Sequence, residues 1–178
     1  MDQVFKHYFD YWRKLKKLPP ELSEVSGYLY DNLPRLNVWR NNFRGLVTEL
    51  PALNMTLQGA IDDLLVSPEG RYAPLDFKTR GFPTKEDTHE HYRHQLNLYA
   101  LLLEANGLPP AEKGYLLFFH PTAYRGKGVA YFETKLIEMP LDLASARLIL
   151  QEVRHVVDGP LPRAHTDCVF CHYREGFE

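Results

Sequence analysis

Two aspartates and a lysine carry the sharpest chemical signal in this 178-residue chain. Asp76-Phe77-Lys78 closes a run from Tyr72 to Thr79 that reads as a β-strand. Side chains alternate across a strand, so Asp76 and Lys78 share one face, while Leu75 and Phe77 point into a core on the other. Upstream, Gly59-Ala60-Ile61-Asp62 lies in a second strand-like run, Leu57 to Val66, and Ser67-Pro68-Glu69-Gly70 between the two is a turn. The runs pair as an antiparallel hairpin that brings Asp62 near Asp76. Two carboxylates converging beside an ammonium resist ionising together. A divalent cation removes that cost, and oxygen ligands of this kind suit Mg²⁺ or Mn²⁺, with the Phe77 backbone carbonyl as a further ligand. Such an ion polarises a phosphodiester and lowers the pKa of a bound water. Lys78 is placed to orient or deprotonate that water and to offset charge on the phosphate. A bare Asp-x-Lys would read as a solvated ion pair, with Asp62 a turn residue. The apolar strand and the Gly-x-x-Asp on its hairpin partner make the pattern more specific.

The elements that must position these groups follow from periodicity. Val4, Phe5, Tyr8, Phe9, Trp12 and Leu15 predict a helix from residue 2 to about 17, stopped by Pro19-Pro20. Residues 20 to 45 read as loop with a short helix around Leu36 to Phe43. Pro74 predicts a delayed start or an edge position for the second strand. His89 to Asn106 reads as a helix, with Tyr92, Leu96, Tyr99, Leu102 and Leu103 in period, and Gly107, Pro109 and Pro110 as its stop. Gln95 and Tyr99 are four apart and share one face of it. Gly114 to Phe119 is an unbroken apolar run, expected as a central strand buried on both faces. Val129 to Glu138 alternates as another strand. Leu143, Ala146, Leu150, Val153 and Val157 mark an amphipathic helix closed by Gly159-Pro160. The order predicts an α/β fold, a mixed sheet flanked by helices.

Gly59-Ala-Ile-Asp62, Leu75-Asp76-Phe-Lys78-Thr and Gln95-Leu-Asn-Leu-Tyr99, in that order and spacing, resemble the motifs of the PD-(D/E)xK nuclease superfamily, in its branch of RecB-type helicase–nuclease domains and CRISPR-associated exonucleases. The resemblance covers about residues 55 to 105 and extends more loosely to a C-terminal Cys-x-x-Cys. It implies a restriction-endonuclease-like mixed central sheet, with residues 1–178 forming one nuclease-like domain and a cysteine-bearing tail at about 160–178. It implies metal binding by Asp62 and Asp76, catalysis by Lys78, and substrate contact or bracing by Gln95 and Tyr99. The implied activity is divalent-metal-dependent hydrolysis of DNA, exonucleolytic or on single strands, in a repair or phage-defence setting with a possible protein partner. A nuclease-like fold that binds without cutting, and a restriction-type endonuclease, are the alternatives. Many members complete the metal shell with an upstream histidine or glutamate, for which His7 and Glu49 are the candidates. Relatives often hold an iron–sulfur cluster on four cysteines, one or more of them near the N-terminus. Here only Cys168 and Cys171 are present, and the chain begins directly with a helix, as a shortened relative or an incomplete chain would. Several readings of that pair stay open: an iron–sulfur cluster, Zn²⁺ with His165 and His172 or His155, a reduced, metal-free thiol pair, or a redox disulfide.

Composition limits these readings without deciding among them. With 44% hydrophobic and 25% charged residues the chain is an ordinary globular protein. It has no apolar run of membrane-spanning length and no signal-peptide core at its start, so a cytoplasmic location is expected. Two cysteines are too few for a disulfide scaffold. The formal net charge of −2 does not announce a nucleic-acid binder, so local clusters must do that work. Arg40 with Arg44, and Lys78 with Arg80 and Lys85, are candidates. Arg13, Lys14, Lys16 and Lys17 read by themselves as a solvated face. His89, His91, His94 and His120 read as exposed positions, with His91 and His94 placed to line a phosphate groove.

Overall fold

A computed structural model of the chain describes residues 1–161, 163 and 165–175. The elements in order are α1 (Asp2–Lys14), β1 (Tyr28–Leu29), α2 (Leu33–Trp39), β2 (Leu46–Leu50), β3 (Met55–Gly59), β4 (Asp63–Val66), β5 (Tyr72–Thr79), α3 (Arg93–Ala105), β6 (Lys113–Tyr124), β7 (Ala130–Pro140), α4 (Leu143–Asp158) and α5 (Val169–Glu175). Five strands form a mixed sheet in the order β1-β4-β5-β6-β7. Its one parallel pair is β5 with β6, joined through α3. A separate two-stranded sheet pairs β2 with β3. This is the mixed α/β sheet with flanking helices that the sequence predicts.

Alternation along β5 and β6 sends side chains to two cores. Leu75, Phe77, Leu117 and Phe119 pack on one face with Phe5 and Phe9 of α1. Leu116 and Phe118 pack on the other with Leu96 of α3. Asp76 and Lys78 therefore lie on the α3 face. Fully burying one such aromatic or leucine contributes roughly 1.5–3 kcal/mol, so the sheet that carries the site is clamped from both sides.

Several boundaries differ from expectation for identifiable reasons. The run Leu57–Val66 is two strands in different sheets: β3 ends at Gly59, β4 starts at Asp63, and residues 60–62 cross between them. Pro74 neither delays β5 nor lies at an edge, because β5 is central and starts at Tyr72. Tyr72 turns its N–H and C=O to the 109–111 segment. Two residues on, Pro74 turns its missing donor to that same side, clear of the β4 ladder. α1 ends at Lys14, before the proline pair, through a left-handed Lys16 (φ 53°) whose N–H reaches the Arg13 carbonyl. The short helix of the 20–45 region is Leu33–Trp39, capped by Asn32, earlier than the expected 36–43. β6 runs well past Phe119, paired on that stretch with β7 alone. The tail forms a short helix, α5, that periodicity did not suggest; residues 162, 164 and 176–178 lie outside the described residues.

Candidate functional site

The register explains why Asp62 meets Asp76. Asp63 pairs with Leu75, so Asp62 stands one step before β4, opposite Asp76. Residues 60–62 are held from three directions. The Ile61 N–H donates to the Trp39 carbonyl at 3.2 Å, Arg40 Nε donates to the Asp62 carbonyl at 2.7 Å, and the Tyr99 hydroxyl donates to the Ala60 carbonyl at 2.8 Å. The Asp62 carboxylate is fixed as well: Oδ2 accepts the Phe77 N–H at 2.9 Å. A strand residue presents its N–H and C=O on one side, so the Phe77 carbonyl faces Asp62 too.

Lys78 Nζ lies 2.6 Å from Asp76 Oδ2 and donates to Gln95 Oε1 at 2.9 Å. Gln95 Nε2 in turn donates to the Tyr99 hydroxyl at 2.8 Å, and the Tyr92 ring lies 4.3 Å beneath the ammonium. Gln95 and Tyr99 thus form one chain from Lys78 to the Ala60 carbonyl. Burial, and the negative charge of Asp76 and Asp62, push the Tyr99 hydroxyl up to about 12, so it stays protonated as a donor. Asp76 is 3% exposed. Burial pushes its carboxyl up; Lys78 opposes that, Asp62 adds to it, and the result is about 6. Close as Lys78 is, no donor is aligned on Asp76 Oδ2 for a hydrogen bond. A buried carboxylate oxygen without an aligned donor, a second carboxylate and a backbone carbonyl form an all-oxygen donor set. That set fits a hard divalent cation.

Other candidates lie elsewhere. Glu49 sits across from Thr56, whose hydroxyl donates to it at 2.9 Å, at the end of the β2–β3 hairpin away from Gly59. His7 is exposed on α1 and lines a cleft of about 510 Å³ with Lys6, Asp10, Arg40, Asn41 and Phe43. Among the described residues no three His, Cys, Asp or Glu side chains converge as a metal site, so neither Glu49 nor His7 completes a shell with the aspartates. Among the described residues Cys168 and Cys171 form no disulfide, and His165, His172 and His155 do not gather with them into a group of metal-ligand side chains. His91 and His94 are exposed, whereas His89 contacts Glu90 and is half-buried, as is His120.

Three groups near the site escaped the sequence reading. Lys6 is buried, with Nζ 3.0 Å from Asp62 Oδ1 and 2.9 Å from Asp2 Oδ2. It stands one helical turn from Asp2, and nothing in the sequence ties it to Asp62. Arg13 is 7% exposed rather than solvated. Its guanidinium and that of Arg40 both pair with the fully buried Asp63, and both also reach Asp10. A signal existed: residue 13 continues the Phe5–Phe9 stripe at four-residue spacing. Tyr92, read only as a core position, also floors Lys78.

A family model described as the PD-(D/E)XK nuclease superfamily matches residues 3–175. Among solved structures, the chain is similar to the protein SSO0001 at 22% identity and a TM-score of 0.42, over 72% of this chain. The match spans 54% of that protein, so this chain covers about half its length. No curated protein matches.

Proposed function

The chain belongs to the PD-(D/E)XK nuclease superfamily, and from that premise we propose that it is a divalent-metal-dependent deoxyribonuclease with Asp62, Asp76 and Lys78 at its centre. The observation that carries the reading is the meeting of the three groups. Asp76 and Lys78 emerge from one strand face, and Asp62 is locked beside them on the Phe77 N–H. Asp62, Asp76 and the Phe77 carbonyl would hold Mg²⁺ or Mn²⁺, which supplies Lewis-acid polarisation of the phosphodiester and a more acidic water. Lys78 keeps its ammonium aimed at that point because Gln95 and Tyr92 hold it from two sides. There it carries charge developing on the phosphate and orients the attacking water. Gln95 and Tyr99 brace the lysine, which supports the branch of RecB-type domains and CRISPR-associated exonucleases. The cleft of about 510 Å³ beside α1 opens next to Lys6, which contacts Asp62, and in this reading it receives a single strand or a DNA end, the exonucleolytic or single-strand mode.

One observation favours a second reading, a nuclease-like domain that binds nucleic acid without cutting: an ammonium, Lys6 or Lys78, already lies against each carboxylate. Purified protein incubated with Mn²⁺ and linear, circular or single-stranded DNA distinguishes the two. The nuclease reading expects linear or single-stranded DNA to be degraded, with rates at least about 10²-fold lower in Asp76→Ala and Lys78→Ala. Salt-dependent binding without products would favour the second reading. Cleavage that survives EDTA or either substitution would place the chemistry elsewhere.

A further inference from the structure

Lys6 belongs to none of the three motif segments, yet it touches the centre they form. Its side chain is 9% exposed, and its ammonium bridges Asp62 Oδ1 and Asp2 Oδ2. A buried ammonium persists only where opposite charge compensates it. The other Asp62 oxygen is taken by the Phe77 N–H, so Lys6 covers the oxygen through which Asp62 faces a ligand. An ammonium and a divalent cation repel strongly at contact distance, so both cannot lie against that oxygen. Lys6 also has somewhere to go. The Asp2 side chain is 55% exposed, and Lys6 itself forms part of the wall of the cleft of about 510 Å³.

Resting on the metal-site reading above, we propose that Lys6 is a resident counter-ion: it holds the Asp62 carboxylate in place before the ion is loaded, and it leaves Asp62 for Asp2 and the cleft when a divalent cation is taken up. Lys6 is a positioning residue in this scheme, and its departure is coupled to metal affinity. The coupling is reciprocal: what Lys6 gains from Asp62 must be given up on metal binding.

Mn²⁺ binding measured by calorimetry without nucleic acid tests this, on the wild type, Lys6→Met, Lys6→Arg and Asp76→Asn. Methionine keeps the apolar stem and removes the charge. Lys6→Met is expected to bind Mn²⁺ about ten-fold tighter, the scale of one charge-assisted hydrogen bond relieved, and Lys6→Arg no tighter than wild type. A Lys6→Met affinity equal to or weaker than wild type overturns the counter-ion role. If Asp76→Asn still loses Mn²⁺ binding in that case, the metal site stands without it. Mn²⁺ affinity indifferent to Asp76→Asn would refute the metal site and this proposal together. A second measurement needs no substitution. Amine-reactive labelling of Lys6, read by mass spectrometry, should be slow in ion-free protein and faster at saturating Ca²⁺; equal protection in both overturns the exchange.

Discussion

Asp76 carries an electrostatic burden that its neighbours only partly relieve. Its folded-state pKa, about 6, lies above the ordinary 3.8 because burial outweighs Lys78. The sign follows from linkage: the folded state binds the proton more tightly than the unfolded chain. The associated stability is fully present below pH 3.8 and is lost as pH rises through 6. For metal-free protein this amounts to about 3 kcal/mol. Urea unfolding at pH 4, 5, 6 and 7 should show that decline in the wild type, and a flatter profile in Asp76→Asn. Matching profiles would mean that Asp76 titrates normally. Mn²⁺ should therefore raise the melting temperature more at pH 7 than at pH 5, since the ion relieves a carboxylate that is mostly ionised at the higher pH and mostly protonated at the lower.

Two elements, the 60–62 crossing and the α1 face, decide whether these groups meet. Gly59 precedes the crossing, and a Cβ there would come within 2.9 Å of Leu102 Cδ1 and 3.1 Å of the Tyr99 ring. Gly59→Ala should cost roughly 1–3 kcal/mol. By shifting Tyr99 it should also lower cleavage more than stability alone explains, which a rate measured well below the melting temperature would reveal. Asp63→Ala strands two buried guanidinium groups and should destabilise by about 3–5 kcal/mol in denaturant melts. Much of this element-level order was legible. Strand alternation put Asp76 and Lys78 together, helix spacing put Gln95 and Tyr99 on one face, and the 67–70 turn set the hairpin. The crossing was not legible, because the polar interruptions of Leu57 to Val66 fit a single strand and pattern does not record a change of sheet. Nor were the Lys6–Asp62 and Arg13–Asp63 contacts, because they join residues 56 and 50 positions apart and local spacing constrains no such pair.

Across the whole molecule, the five-stranded sheet serves as a partition. α1 and α3 lie on opposite faces, and each sends a side chain to the aspartates or the lysine: Lys6 from one, Gln95 from the other. Unbroken apolar runs such as Gly114–Phe119 foretold a central strand, whereas the two-residue β1 leaves no periodic trace. The formal net charge of −2 gives no general pull on nucleic acid, so substrate attraction falls to a loaded centre and its lysines. The most direct test is a crystal grown with Mn²⁺ and examined by anomalous diffraction. The account predicts a peak in contact with Asp62, Asp76 and the Phe77 carbonyl, with Lys6 turned away. A fully ordered site with no peak between those groups, at saturating Mn²⁺, would contradict it.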